Sequence, residues 1–589
     1  MKQARKIWFA AAGLLAVLIV ACLVYLPSLK GGWVFDDFPH VANNEAVHIK
    51  NISVAEIRQA ALQSPQPGRA LANVSFALVY YFCGEGSGTQ HTANLAFHLL
   101  ATVFAFLLFF EILRRPVFQK TVTSPAAVAL FGAAVFALHP LNTQSVSYIV
   151  QRMNLLAALF VMAALYCRMR ASVMEGRKIP GKFLRPFLYV LFVLSAVAGV
   201  LCKENAVSIV LLLPVVDLMT SGEKAGTWLR MRWKVLALCL FAGLAAALLY
   251  LVLGVSFMGG YENRDFTMME RLLTQHRVVL WYVTLWIFPA GSRLSLEHNI
   301  SVSSGLFSPP QTVLAVLAIA IATLAALYHV RRAPLVCGGW LWFVAGLVME
   351  SSVLPLELAF EHRMYLPGIG LYLAAAGLFY RLGIKKAAVP LLLIVLASLA
   401  LLTHERNRVW QNSGRLWKDA LHKAPQKARP FANLCSEAYG KGEFARARRL
   451  CRAALARAPG HEKALYNLGL ACKSLGRLDE AESAMERAAQ EVGDEGLVHY
   501  QLGLIRYKKG EYKDALISFK EAVRLMPGDG LSYYRLGQTY EKLNSYNMAL
   551  AAYEKAEAKA NDIDAMLKNN ISSARKRTAD KIKSEATDM

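Results

Sequence analysis

Apolar runs of roughly 17 to 22 residues recur from Ile7 to about Leu402 and then stop. No other feature constrains the fold as much, because a run of that length is the helix that crosses a hydrocarbon core about 30 Å thick. The runs lie near 7–28, 92–113, 125–139, 154–170, 187–201, 206–220, 235–256, 312–329, 334–350, 364–381 and 388–402, which makes eleven crossings. The segment "VVLWYVTLWIFPAG" from Val278 is apolar but short and is closed by Pro289 and Gly291. As a crossing it would put "RRAP" and "RLGIKK" opposite the other basic loops, so it reads as re-entrant or interfacial. The first run follows Lys2, Arg5 and Lys6 as a signal peptide would. It is too long for one and lacks a small-residue cleavage site, so it is expected to be an uncleaved span.

A formal charge of +24 raises the question of nucleic acid, and its distribution answers it. Before Thr403 the chain holds 32 Lys and Arg against 17 Asp and Glu, and the basic residues cluster in loops: "RRPVFQK", "RMRASVMEGRKIPGKFLR", "EKAGTWLRMRWK", "RRAP" and "RLGIKK". Such blocks mark the cytoplasmic side. Topology thus accounts for much of the excess, and no aromatic-interleaved basic groove favours a nucleic-acid partner. An N-terminus on the cytoplasmic side and an odd number of crossings put the C-terminal region outside.

That region has a period of 34 residues: Gly442, Gly476, Gly510 and Asn544 share one register, Ala447, Ala481, Ala515 and Ala549 a second, and Ala454, Ala488, Ala522 and Ala556 a third. Small residues let two antiparallel helices approach, so four tetratricopeptide repeats are expected over 428–561. The expected domains are a membrane bundle at 1–403, a connecting helix or half-repeat at 404–427, the repeats, and a polar C-terminal helix or tail at 562–589 whose last stretch, "ARKRTADKIKSEATDM", is solvated. Nine cysteines show no paired metal spacing. Cys435 and Cys451 fall on the two helices of one repeat, where buried structural thiols are the first reading and pairing in an oxidising compartment the second.

The acids that escape the basic loops gather near the other membrane face, led by adjacent Asp36 and Asp37 in "GGWVFDDFPHVANN". A carboxylate shielded at the mouth of a bundle has a raised pKa and can take a proton from a hydroxyl, and two neighbours are comfortable there only if a cation or metal shares the site. A plain solvated loop is the alternative. His91, Asn94 and His98 lie on one stripe of a helix, read first as an interhelical hydrogen-bond stripe and second as a metal site. His139 and Arg152 follow in "LHPLNTQSVSYIVQRMN", Lys203 and Glu204 in "CKEN", and Glu361, His362 and Arg363 in "FEHRMYLPG". Singly, each cation reads as an interfacial residue. Together Arg69, Arg152, Lys203 and Arg363 surround the acid pair and suit a phosphorylated, lipid-tailed substrate such as a polyprenyl phosphate.

The order of "FDD", "GRALANVSFALVYYF", "HTANLAFHLL", "HPLNTQSVSYIVQRMN", "CKENAVSIVLLLPVVDL", "RLLTQHRVVLWYVTLWIFPAG" and "FEHRMYLPGIGLYL", followed by the repeats, resembles the transmembrane and tetratricopeptide-repeat-containing O-mannosyltransferases, and bacterial relatives of them more closely. The resemblance implies an all-α, polytopic C-type glycosyltransferase bundle followed by a tetratricopeptide α-solenoid. It also implies a polyprenyl-phosphate sugar donor used on the non-cytoplasmic side, in a bacterial inner membrane with the repeats in the periplasm. Carried over, Asp36 is the base for an acceptor hydroxyl and Asp37 its partner in positioning or in holding a divalent metal. Arg69, Arg152, Lys203 and Arg363 face the donor phosphate, while His91, His98, His139, Glu204, Glu361 and His362 support the site. Gln144 and Asn154 stand where relatives often carry Glu and Asp, which puts in doubt a metal site built from that loop.

Membrane lipids and a protein or peptide acceptor held by the repeats are the expected partners. A non-catalytic membrane scaffold displaying repeats is the competing reading. A transporter ranks below both, because it would place ionisable residues near mid-membrane.

Overall fold

The computed structural model describes residues 2–119, 122–174, 183–234, 237, 259–262, 264–381, 389–493, 495–559 and 565–587. The chain is all-α among these residues and divides into two compact units, Met1–Asp419 and Ala420–Met589.

In the first unit, six helices among the described residues are long and apolar enough to cross a membrane: Ala10–Lys30, Ser87–Leu113, Ile149–Val173, Glu204–Ser221, Gln311–His329 and Val389–Trp410. A seventh candidate exists if Pro125–Leu138 and Pro140–Ser147, bent by 52°, form one span. Against the eleven expected crossings, six to seven candidate spans thus stand among the described residues. Three of the expected crossings fold as shorter apolar helices, Leu184–Val200, Pro334–Leu347 and Gly368–Tyr380. At 1.5 Å per residue these rise about 20–25 Å, less than a full hydrocarbon core. The expected crossing at 235–256 lies outside the described residues. The segment from Val278 sits in a helix, Met268–Ile287, opened by a capping box between Thr267 and Glu270. Its first half is polar, and it is not among the candidate spans.

Local chemistry explains the bend. Pro140 has no N–H to continue the helix ending at Leu138, and the His139 imidazole instead caps the next turn through the Leu141 N–H. The segment from His139 to Val150 is buried throughout and forms the floor of the region described below. Elsewhere the bundle closes through small residues. A Cβ on Gly339 would collide with the Gly370 carbonyl oxygen, so Pro334–Leu347 and the helix from Gly368 touch backbone to backbone.

In the second unit, four helix pairs run from Ala428–Gly440 and Phe444–Leu455 to Gly530–Lys542 and Tyr546–Lys559. The 34-residue registers have distinct physical origins. Gly442, Gly476, Gly510 and Asn544 all take positive φ at the turn between paired helices, a conformation open to glycine and tolerated by asparagine. The two alanine registers are wholly buried where the helices meet. Cys435 and Cys451 form a disulfide joining the two helices of the first pair. The C-terminal segment Ala565–Thr587 is a helix that buries Ile571 and Ala574 against the last repeat, so it covers the end of the stack.

Candidate active site

The chain leaves its first helix through Trp33–Asn43, and this turn sets the two aspartates in different environments. Phe35 has φ of +47°, a left-handed conformation costly for a bulky residue. Its ring packs edge-on against Trp417. Asp37 is buried, and its two carboxylate oxygens accept from the N–H of Val34 at 3.0 Å and of Val150 at 2.8 Å. Burial pushes its carboxyl well above the usual range, with the two backbone N–H groups and Arg152 acting in the opposite direction and Asp36 adding to the rise. Asp36 is half-buried, and its own N–H donates to the Tyr148 hydroxyl at 3.0 Å. Beside it His40 is held below its ordinary pKa, first by burial, with Asp36 opposing and Arg69 reinforcing the shift.

Arg69, whose charge also reaches His40, anchors a polar cluster. Its Nε meets both oxygens of Glu204, at 3.1 and 3.2 Å, and the carboxylate remains about half exposed. The neighbouring Lys203 is buried and pairs with Glu350 at 3.1 Å. Burial lowers the Lys203 pKa, Glu350 opposes that, and Arg69 and Arg363 add to the lowering. Asn154 joins the parts: its Oδ1 accepts from Asn205 at 2.8 Å and from Lys203 at 3.4 Å, and its Nδ2 donates to the His362 carbonyl at 2.6 Å. The His362 N–H donates to Gln144 Oε1 at 2.7 Å. Burial, then the charges of Lys203, Arg363 and Arg69, keep that imidazole neutral. Arg363 donates to the Leu358 carbonyl and lies over the Phe360 ring.

The remaining expected residues are structural in their contacts. Arg152 is fully buried, with Nε donating to Asn94 Oδ1 at 2.6 Å and its two terminal nitrogens to the carbonyls of Gln90 and Ser75, and its guanidinium lies over Phe76. It braces three segments. His98 bridges the Tyr365 hydroxyl and the Ala137 carbonyl. His139 meets the Trp286 carbonyl. His91 lies against Gly31, where an added Cβ would come within 2.7 Å of its Nε2. Glu361 is fully buried and pairs with His298 at 3.1 Å. The stripe of His91, Asn94 and His98 thus runs along packed helices, with Asn94 and His98 hydrogen-bonded across them.

Sequence reading passed over several residues here. Glu350 ends an apolar run and carries no motif in the sequence, yet it pairs with Lys203. Arg271, inside "RLLTQHR", is fully buried and donates to the carbonyls of Leu356, Ser352 and Glu350, so it shapes the loop that carries Glu350. Of Gln144 and Asn154, noted as departures from an acidic pattern, Gln144 accepts from the His362 N–H, while Asn154 both donates and accepts, which an ionised carboxylate cannot do.

Each Asp37 oxygen accepts from one backbone N–H, and among the described residues no group of three His, Cys, Asp or Glu side chains is placed to hold a metal ion.

The repeats carry a second polar surface. Asn433, Asn467, Gln501 and Arg535 recur at 34-residue intervals on the first helix of each pair. Lys463 donates to Asn433 Oδ1 at 2.8 Å, and Lys473 to Gln501 Oε1. Burial lowers the pKa of Lys473, and nearby Lys508 and Arg535 add to it, so cations crowd this surface.

The fold and these sites define an integral-membrane, all-α protein that carries tetratricopeptide repeats. Tetratricopeptide-repeat family models match residues 438–502, 496–529 and 531–558. The chain is also a distant relative of the protein O-mannosyl-transferases. It is 22% identical to Protein O-mannosyl-transferase F38B6.6 of Caenorhabditis elegans over 72% of this chain and 59% of that protein. It is 27% identical to Protein O-mannosyl-transferase TMTC4 of Homo sapiens over 36% of this chain and 29% of the relative, and 28% identical to TMTC1 of Homo sapiens over 37% and 25%. The chain therefore spans little more than half of the worm protein and under a third of the human ones.

Proposed function

We propose that this protein is a membrane glycosyltransferase that moves a sugar from a polyprenyl-phosphate donor to a hydroxyl of a protein or glycan on the non-cytoplasmic side. The observation that carries the reading is the division of labour within the acid pair. Asp37 is locked by two backbone N–H groups, and this lock sets half-buried Asp36 beside His40, whose imidazole also feels Arg69. Asp36 takes the acceptor proton as the acceptor oxygen attacks the sugar carbon. The bond from that carbon to the phosphate oxygen breaks, and its electron pair leaves with the polyprenyl phosphate, whose charge Arg69, Lys203 and Arg363 offset. A base opposite the leaving group gives inversion at the sugar carbon.

The repeats recruit the acceptor or a partner through the surface of Asn433, Asn467, Gln501 and Arg535. The Cys435–Cys451 disulfide supports an oxidising compartment for them, as a non-cytoplasmic location requires.

The scaffold reading has one observation in its favour: Lys203 and Arg69 already face Glu350 and Glu204, so their charges are balanced without a substrate. Replacing the base separates the two. Asp36→Asn is expected to leave expression and thermal stability near wild type while abolishing sugar transfer in membranes supplied with the lipid-linked donor. Transfer at the wild-type rate would remove the catalytic role.

A further inference from the structure

At the end of the bundle remote from Asp36, several helix ends enclose a cavity of about 140 Å³. Its position follows from two helices that start or finish there: Pro125–Leu138 runs from it to His139, and the helix from Gly368 runs to it from the turn bearing Arg363. The walls are apolar, with Phe118, Val122 and Leu335 buried, and Tyr380 holds one side by bonding the Thr123 N–H and hydroxyl. Arg331 and Arg332 are exposed at its edge.

Charge accounting at this end leaves those arginines unbalanced. Glu111 already faces Arg170 at 3.5 Å and Arg114 at 4.0 Å, and Asp217 faces Arg232 at 3.5 Å and accepts from the Trp228 indole. Among the described residues no carboxylate pairs with Arg331 or Arg332. Two uncompensated guanidinium groups beside an apolar recess, where helices leave the membrane, call for an anion that carries hydrocarbon.

We propose that this cavity binds an anionic phospholipid, with Arg331 and Arg332 on the phosphate oxygens and the root of the acyl chains against Phe118, Val122 and Leu335. A free phosphate would use the arginines and waste the apolar wall, so the lipid is the better match. The site is independent of sugar transfer and stands or falls without it.

The full-length protein in phosphatidylcholine nanodiscs, with and without phosphatidylglycerol, provides the test, read by thermal melting and by lipid retained in native mass spectrometry. Phosphatidylglycerol is expected to raise Tm and to remain bound. Arg331→Gln with Arg332→Gln should melt like wild type in phosphatidylcholine alone and lose retention about tenfold or more, given what charge-assisted bonds contribute. Leu335→Phe, which fills the recess and keeps both arginines, should also lose retention, and so covers the case in which the double variant folds poorly. Undiminished phosphatidylglycerol retention by either variant overturns the proposal. So does an equal Tm shift from inorganic phosphate, which would reveal an anion site with no lipid.

Discussion

Asp37 accepts a hydrogen bond at 2.8 Å from the backbone N–H of Val150, a residue 113 positions away in sequence. That bond, with the one from Val34, ties the first loop to the buried floor and fixes how Asp36 is presented. Asp37→Asn keeps one accepting oxygen and turns an amide N–H against a backbone N–H. The expected outcome is a loss of about 1–3 kcal/mol, seen as a lower melting temperature, together with weaker transfer. Asp36→Asn by contrast should lose transfer alone. Equal melting of wild type and Asp37→Asn would remove the locking role.

Lys203 binds a phosphate only while protonated, and burial lowers its pKa against the pull of Glu350. Activity that depends on Lys203 therefore falls as pH rises through its pKa. Glu350→Gln removes the group that holds the pKa up, so the alkaline limb of the pH–rate profile should move to lower pH. A limb that stays in place, measured with saturating acceptor, would separate Lys203 from the phosphate.

The Cys435–Cys451 bridge closes a short loop, with a sequence separation of 16, inside one helix pair. For a loop of that size the bridge contributes about 2–4 kcal/mol. Cys435→Ser and Cys451→Ser are each expected to lower the denaturant midpoint of the repeats, and reductant should do the same to wild type while leaving the variants unchanged. Reductant acting equally on variant and wild type would exclude the bridge as the cause.

The cations around Asn433, Asn467, Gln501 and Arg535 favour an extended acidic peptide over a basic one. Fluorescence anisotropy on the full chain should show an Asp/Glu-rich peptide bound more weakly as salt rises, and about tenfold more weakly after Lys463→Glu with Arg535→Glu. Equal binding of a basic peptide would rule out this surface as the reader of charge.

Arg152→Met removes a guanidinium that satisfies Asn94, Gln90 and Ser75 at once. Leaving those acceptors buried and unmet is expected to cost several kcal/mol, since each unsatisfied group costs about 1–3. The variant should therefore yield little folded protein in detergent-solubilised preparations. A variant that melts like wild type and only loses affinity for the donor would return Arg152 to the phosphate site.

The sequence by itself determined what depends on local sterics and on solvent. A turn that needs positive φ selects glycine or asparagine wherever it recurs, so the register of Gly442, Gly476, Gly510 and Asn544 exposed the repeats before any coordinate did. Long apolar runs declared the membrane, and among the described residues they fold as six long helices, one bent pair and three shorter helices, because prolines and turns interrupt runs that composition alone joins. The polar C-terminal segment left helix and tail open in the sequence, and the burial of Ile571 and Ala574 against the last repeat is what docks it as a helix.

Only the tertiary structure decided which aspartate is locked, which glutamate answers Lys203, and which acceptors Arg152 satisfies. Each depends on backbone groups and side chains brought together from segments many residues apart. Hydrogen-bond geometry discriminates over tenths of an ångström, and spacing along the chain carries no information at that scale.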